Sequence, residues 1–457
     1  MSVNPSLIAG IAPDRLRAIA AREAARFAER RPKTRAALDA GAEVFLDRVP
    51  MHWMTDWPMP FPILVANAAG AKITDIDGNT LDDFCLGDTG SMFGHSPAPV
   101  AQAIRAQAEN GLTYMLPTEA ALAAGRLLCE VFGPFQWQIA TTATDANRFA
   151  LRVARAVTGK PKVLVFNGCY HGAVDDAMVT LVEGKTVARP GLLGQVADLT
   201  AVAACAEFND LDSVEAALKT GEIAAILTEP VMTNSCMVLP EAGFHAGLRA
   251  LSTQYGALLI MDETHTISSG RGGYTRVHGL DPDIFVAGKC VAGGMPTAIW
   301  GMKDAVAARY RSYNATRPAG HSGMGTTLSG NPMQFACLAA NLSEVMTAEA
   351  YTHMERGAAR LAAGLQAGID RHAAPWHVVR VGARVEFICA PGPLHNGTEA
   401  AAAHMPEVEA TLHAALVNRG FLIAPFHNMM LVSPVTTDSQ IDGLVAAFDA
   451  VLTELFA

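Results

Sequence analysis

Four short apolar runs punctuate the middle of this chain: Lys162–Phe166 (KVLVF), Ile223–Leu227 (IAAIL), Ala257–Met261 (ALLIM) and Ile284–Val286 (IFV). Stretches with helical spacing, such as Leu211–Leu218 and Gly243–Gln254, separate them. Strands that are apolar on both faces and alternate with helices belong in a parallel sheet covered by helices on both sides. That restricts the fold to an α/β architecture. It also places any ligand beyond the carboxyl ends of the strands.

The flanking sequence reads differently. Ala71–Phe84 alternates apolar and polar residues around Asp77-Gly78, which predicts a β-hairpin with a D-G turn. Residues 51–62 (MHWMTDWPMPFP) hold three Pro and two Trp and predict an ordered aromatic loop rather than a regular element. After Pro332, helices to about Arg371 lead into a Val-rich strand over Val378–Ile388. A helix near Val408–Arg419, short runs at Phe421–Pro425 and Met429–Val432, and a last helix over Ser439–Leu455 complete a smaller α+β unit.

Composition narrows the function classes. Of 457 residues, 50% are hydrophobic and 17% charged, which excludes a disordered chain and predicts an oligomer that hides apolar surface. A formal net charge of −10 argues against a nucleic-acid binder. No uncharged run approaches the ~18 residues of a membrane helix. The eight cysteines are scattered, with no C-x-x-C pair and no His at zinc-ligand spacing, as expected of a reduced cytoplasmic chain without a metal site. The Arg-rich stretch 13–38 is interspersed with Asp14, Glu23 and Glu29, and so reads as a surface helix rather than a transit peptide.

The strand ends carry the chemistry. The third run leads directly into Asp262, a carboxylate at the mouth of the sheet. Taken alone, it could be a helix cap or half of a salt bridge. The fourth leads to Gly288-Lys289, with Gly293 and Gly294 behind. Desolvation favours the neutral amine and hence Schiff-base chemistry, although a surface lysine would read the same. The first leads to Asn167-Gly168-Cys169-Tyr170-His171-Gly172, where Tyr170 could lie on a planar ligand and His171 reads as structural. Thr142, Ala143 and Thr144 open the helix that ends near Val157, and hydroxyls and N–H groups at a helix start attract a phosphate. A reactive Lys, a carboxylate 27 residues before it, a planar stacker and a phosphate cradle together describe a pyridoxal phosphate site.

Over nearly its whole length from Phe61, the chain resembles the class III, fold-type I aminotransferases. These include ω-transaminases, β-amino-acid transaminases and glutamate-1-semialdehyde aminomutases. The resemblance rests on ITDIDGNTLDDF and FGHSPAPVAQAI, on YHG at 170–172, LTEPV at 227–231 and LLIMDET at 258–264, and on GKCVAGGMP at 288–296 and TLSGNP at 327–332. It implies a large cofactor-binding domain over 85–330, with a small α+β domain formed by 1–84 and 331–457. It implies pyridoxal 5′-phosphate held covalently by Lys289, with Asp262 at the pyridine nitrogen and Tyr170 on the ring. Thr142, Ala143 and Thr144 would hold the phosphate, with Glu229 and Thr264 also in the cofactor site. Thr327 would reach the phosphate of a neighbouring subunit in a homodimer with shared active sites, or in a higher oligomer.

The chain also departs from the pattern. Ala143 replaces a Gly, Thr264 replaces the usual Val, Thr326 replaces a Gly, and His265-Thr266-Ile267-Ser268 replaces the usual T-G-F-R. His52–Trp57 lacks the Arg with which aminomutase and β-amino-acid relatives bind a carboxylate, and Pro425–Met429 lacks the C-terminal Arg of several transaminases. Trp53, Trp57, Thr89 and Met92 are candidate pocket walls, or simply core. Arg271, Arg276 and Arg384 are the remaining candidate carboxylate partners, with Arg384 able to pair instead with Glu386. The expected activity is therefore ping-pong transamination from a primary amine or β/ω-amino acid to an oxo acid such as pyruvate. The alternatives are intramolecular transfer of the glutamate-1-semialdehyde 2,1-aminomutase type, which PTEAAL at 117–122 favours, and epimerisation on the same fold.

Overall fold

The computed structural model describes residues 7–41, 43–425 and 427–457; Phe426, inside the Pro425–Met429 segment, lies outside them. Two compact units result, one from Pro97–Ala348 with Leu394–Ala402, the other from the chain through Ser96 together with Glu349–Pro393 and Ala403–Ala457.

The first unit is built on a seven-stranded sheet. Its strands are β1 (Gln136–Ala140), β2 (Lys162–Phe166), β3 (Ala203–Ala206), β4 (Ile223–Thr228), β5 (Leu258–Asp262), β6 (Ile284–Ala287) and β7 (Ala298–Met302). Their spatial order is β1-β7-β6-β5-β4-β2-β3. Neighbours from β6 to β3 run parallel, and β7 alone runs antiparallel, between β6 and β1. All of β4, β5 and β6 is buried, as strands apolar on both faces require. The helix Ala143–Thr158 covers one face, with Phe149 set 6.3 Å from Trp300 of β7.

Three of these strands escape the sequence pattern, and β3 does so because its four small residues, Ala-Ala-Cys-Ala, form no recognisable apolar run. In β1, Gln-Trp-Gln-Ile alternates exposure along an edge strand and so does not read as a buried run. β7 follows the Lys289 turn so closely that its apolar residues merge with the preceding glycine-rich segment.

In the second unit, the D-G hairpin forms as expected. Lys72–Asp75 pairs antiparallel with Thr80–Asp83, and Phe421–Leu422 adds a parallel strand. The single strand expected over Val378–Ile388 is instead two, His377–Val381 and Arg384–Ile388, paired antiparallel. Gly382 has φ +54°, a backbone state that glycine adopts without strain, and it reverses the chain there. One core joins Phe84, Leu361, Phe387, Leu412, Phe448 and Leu452.

The hairpin turn also caps a helix. Asp77 accepts the backbone N–H groups of Lys33 (2.7 Å) and Thr34 (2.9 Å) at the start of Pro32–Ala40. Beside it, the fully buried Arg31 places Nε 3.1 Å from Asp75 Oδ2, with its guanidinium 4.2 Å from the centre of the Phe27 ring. Asp75 also accepts the N–H groups of Asp77 and Asn79. Removing one partner of a buried pair leaves an uncompensated charge. Asp75→Ala is expected to cost about 3–5 kcal/mol, measured as a lowered urea midpoint.

Among the described residues no helix is long and apolar enough to cross a membrane. All eight cysteines are free thiols.

Candidate active site

β1, β2, β4, β5 and β6 of the first unit each lead into residues that the sequence singles out. After β1, Thr142 takes an extended conformation and its hydroxyl accepts the Asp145 N–H at 3.1 Å, so the helix starts at Ala143. First-turn N–H groups have no acceptor within a helix and carry its positive end. Ala143 is helical and its N–H is presented there without the glycine usual at this position.

After β2, the turn brings Gly172 onto this helix start. Its φ is +81°, a Cβ there would lie 2.1 Å from Thr144 Oγ1, and the Ala173 N–H donates to that hydroxyl at 3.2 Å. Only glycine allows this approach. Tyr170, in the same turn, is 47% exposed.

β5 delivers Asp262, which is 3% exposed. Its Oδ2 accepts from Asn147 Nδ2 at 2.8 Å and from His171 Nδ1 at 2.9 Å, and its Oδ1 accepts the Thr264 N–H at 3.1 Å. Burial works to raise Asp262, but the His171 hydrogen bond and charge, with Thr264 and Asn147, hold it below the usual carboxylate range. Burial likewise opposes charge on His171, yet the Cys169 sulfur and the Asp262 carboxylate outweigh it and lift the imidazole to about 10. Asp262 is therefore an ionised carboxylate with a built-in counter-charge. His171, which reads from the sequence as structural, holds Asp262 here, and Asn147 carries no sequence signal of its own. Asn147 lies on the inward face of its helix, where a buried amide has to find a partner.

After β6, Gly288 lets the turn close against the phosphate-type cradle: a Cβ on it would lie 2.9 Å from Ala143 Cβ. Lys289 follows with φ +51°, a left-handed conformation costly for a non-glycine residue and maintained only where the surroundings impose it. Its Nζ lies 2.8 Å from His265 Nε2.

The other candidate residues have these surroundings. Glu229, at the end of β4, is buried and accepts from the N–H and hydroxyl of Thr233; burial raises it above the ordinary range. Thr327 is exposed, next to Thr326, whose hydroxyl pairs with Ser329 at 2.6 Å. Trp53, Trp57, Thr89 and Met92 belong to the second unit, where Met92 and Thr89 are fully buried and Trp57 packs edge-on to His413. Arg384 there bonds Thr89 and lies 3.9 Å from Asp88. Arg271 bonds Glu130 and the Met346 carbonyl in the first unit.

The model of the family described as aminotransferase class-III matches residues 54–452. This chain belongs to the class-III aminotransferases. It is 34% identical over 391 residues to a glutamate-1-semialdehyde 2,1-aminomutase of Desulfitobacterium hafniense, covering 83% of this chain and 88% of the relative. A crystal structure of a glutamate-1-semialdehyde-aminomutase from Pseudomonas aeruginosa PAO1 is 46% identical, with a TM-score of 0.95 over 98% of this chain and 100% of that one. An omega-transaminase from Sphaerobacter thermophilus is 27% identical, with a TM-score of 0.85 over 93% and 98%.

Class-III aminotransferases are fold-type I enzymes, and the cofactor is pyridoxal phosphate; a lysine-to-alanine variant of the Pseudomonas protein has also been solved in complex with PMP. The residues present fit that group. The donor set supplies an amine, an ionised carboxylate and a helix start, and two glycines keep the cradle open. Among the described residues, His171 Nε2, Asn147 Oδ1 and Thr264 Oγ1 are buried around it without a protein hydrogen-bond partner.

Proposed function

We propose that this class-III aminotransferase performs intramolecular amino transfer of the glutamate-1-semialdehyde 2,1-aminomutase type. The observation that carries this reading is the 46% identity to the Pseudomonas aminomutase at a TM-score of 0.95. The comparisons thus favour it over the intermolecular transamination expected from the substrate-loop sequence. In a 2,1 shift the amino group leaves carbon 2 and arrives at carbon 1, so an amino aldehyde becomes an isomeric amino ketone. No external oxidant or acceptor is consumed.

Bound pyridoxal phosphate supplies the electron sink that lets an amino-bearing carbon release its proton. The chain's own residues do the rest. Lys289 Nζ holds the cofactor and, once released, carries the proton from one carbon to another. Asp262, kept ionised by His171, holds the proton on the pyridine nitrogen. The N–H groups of Ala143 and Thr144 and the Thr142 hydroxyl bind the phosphate, and Tyr170 covers the ring. In a homodimer Thr327 adds a phosphate contact from the neighbouring subunit.

Transamination is the second reading, and the observation favouring it is the absence of Arg from His52–Trp57. One experiment separates the two. Glutamate-1-semialdehyde is incubated with the enzyme alone, and single-enantiomer amines with pyruvate are run in parallel. Formation of the isomeric amino ketone without any acceptor is expected. No isomerisation, with alanine formed from pyruvate, would replace this reading by transamination.

A further inference from the structure

The departure at His265 has a geometric consequence. β5 and β6 are adjacent and parallel, with Asp262 paired to Val286. His265 lies three residues beyond Asp262 and Lys289 three beyond Val286, so both turns leave the sheet side by side. His265 is 4% exposed, and its carbonyl accepts the Ser268 hydroxyl at 2.9 Å. Its neighbour Glu263 accepts the N–H groups of Tyr274 and Thr275 and the Thr266 hydroxyl. The turn is therefore fixed on both sides of the imidazole, and Nε2 meets Lys289 Nζ at 2.8 Å.

We propose that His265 is a positioning residue for Lys289, holding the released amine in place for its return to the cofactor; this rests on the role given to Lys289 above. With Nε2 as acceptor, the contact engages an N–H of the amine rather than the lone pair that makes the bond. The tautomer then carries its proton on Nδ1. Without this contact the four-carbon side chain would have to be immobilised from many rotamers at each return, an entropic cost that slows bond formation.

The test needs no substrate, because pyridoxal phosphate itself is the probe. Full-length apoenzyme is mixed with increasing pyridoxal phosphate, and the growth of the lysine-bound chromophore is followed. The limiting rate is expected to fall about 10–100-fold in His265→Leu, while the half-saturating concentration stays the same, since the phosphate and ring contacts are untouched. His265→Gln keeps an acceptor near Nζ and is expected to recover most of the rate. An unchanged limiting rate in His265→Leu would overturn the proposal. So would a Gln variant as slow as Leu, or a loss confined to half-saturation, which marks a merely structural residue. Lys289→Ala serves as the control: if it still forms the chromophore, the role of Lys289 fails, whereas a normal Leu variant beside a colourless Ala variant sinks only the proposal for His265.

Discussion

Lys289→Ala is expected to remove the visible absorbance of lysine-bound pyridoxal and to lower turnover at least about 10³-fold, the scale on which a positioned base contributes. The loss would be chemical rather than structural. Lys289 already adopts φ +51° as a non-glycine residue, and Ala carries the same backbone penalty, so the turn after β6 has no new strain to relieve. What disappears is the Nζ that meets His265. The cofactor should remain associated through the other residues assigned to it, detectable by phosphate content after gel filtration. An unchanged spectrum in this variant would refute the assignment of Lys289.

The second large effect is expected from Asp262→Asn, and it separates charge from shape. The amide fills the same space but removes the carboxylate that is hydrogen-bonded to the buried His171. At pH 7 the cost should be about 3 kcal/mol or more, since breaking one side of a buried ion pair strands the other charge. The pH dependence has a definite sign. His171 is raised from 6.5 to about 10 in the folded protein. Its contribution is therefore complete below pH 6.5 and is lost as pH rises through 10. The wild-type protein should lose stability from pH 7 to pH 10, and the gap to Asp262→Asn should narrow over the same interval. Thermal unfolding of both apoenzymes at the two pH values measures this. A gap that stays constant would show that His171 is not charged in the fold. Activity should also fall, because a neutral amide no longer favours a protonated pyridine nitrogen.

Much of the scaffold was legible beforehand because it depends on local pattern. The KVLVF run is β2, and ALLIM-Asp is β5 with its carboxylate at the strand's end. The hairpin turn was legible from Asp77-Gly78, since few sequences accept that backbone. The Val378–Ile388 segment was misjudged because a continuous Val-rich run conceals a reversal at Gly382. β1, β3 and β7 were missed because an exposed edge strand, a four-residue run of small side chains and an antiparallel return do not share the buried-strand pattern.

For the site, the split has a physical cause. By itself, the chain determined the fold class, the cofactor and the candidate pair Lys289 and Asp262, because motifs hold these residues at short, constrained spacings after strands. Only the tertiary structure decided what surrounds them. Asn147 and His171 reach Asp262 across 115 and 91 residues of chain, and His265 meets Lys289 because two neighbouring strands pair in one register. Such contacts follow from which strands become neighbours, and strand adjacency is settled by packing of the whole sheet rather than by any local run of residues.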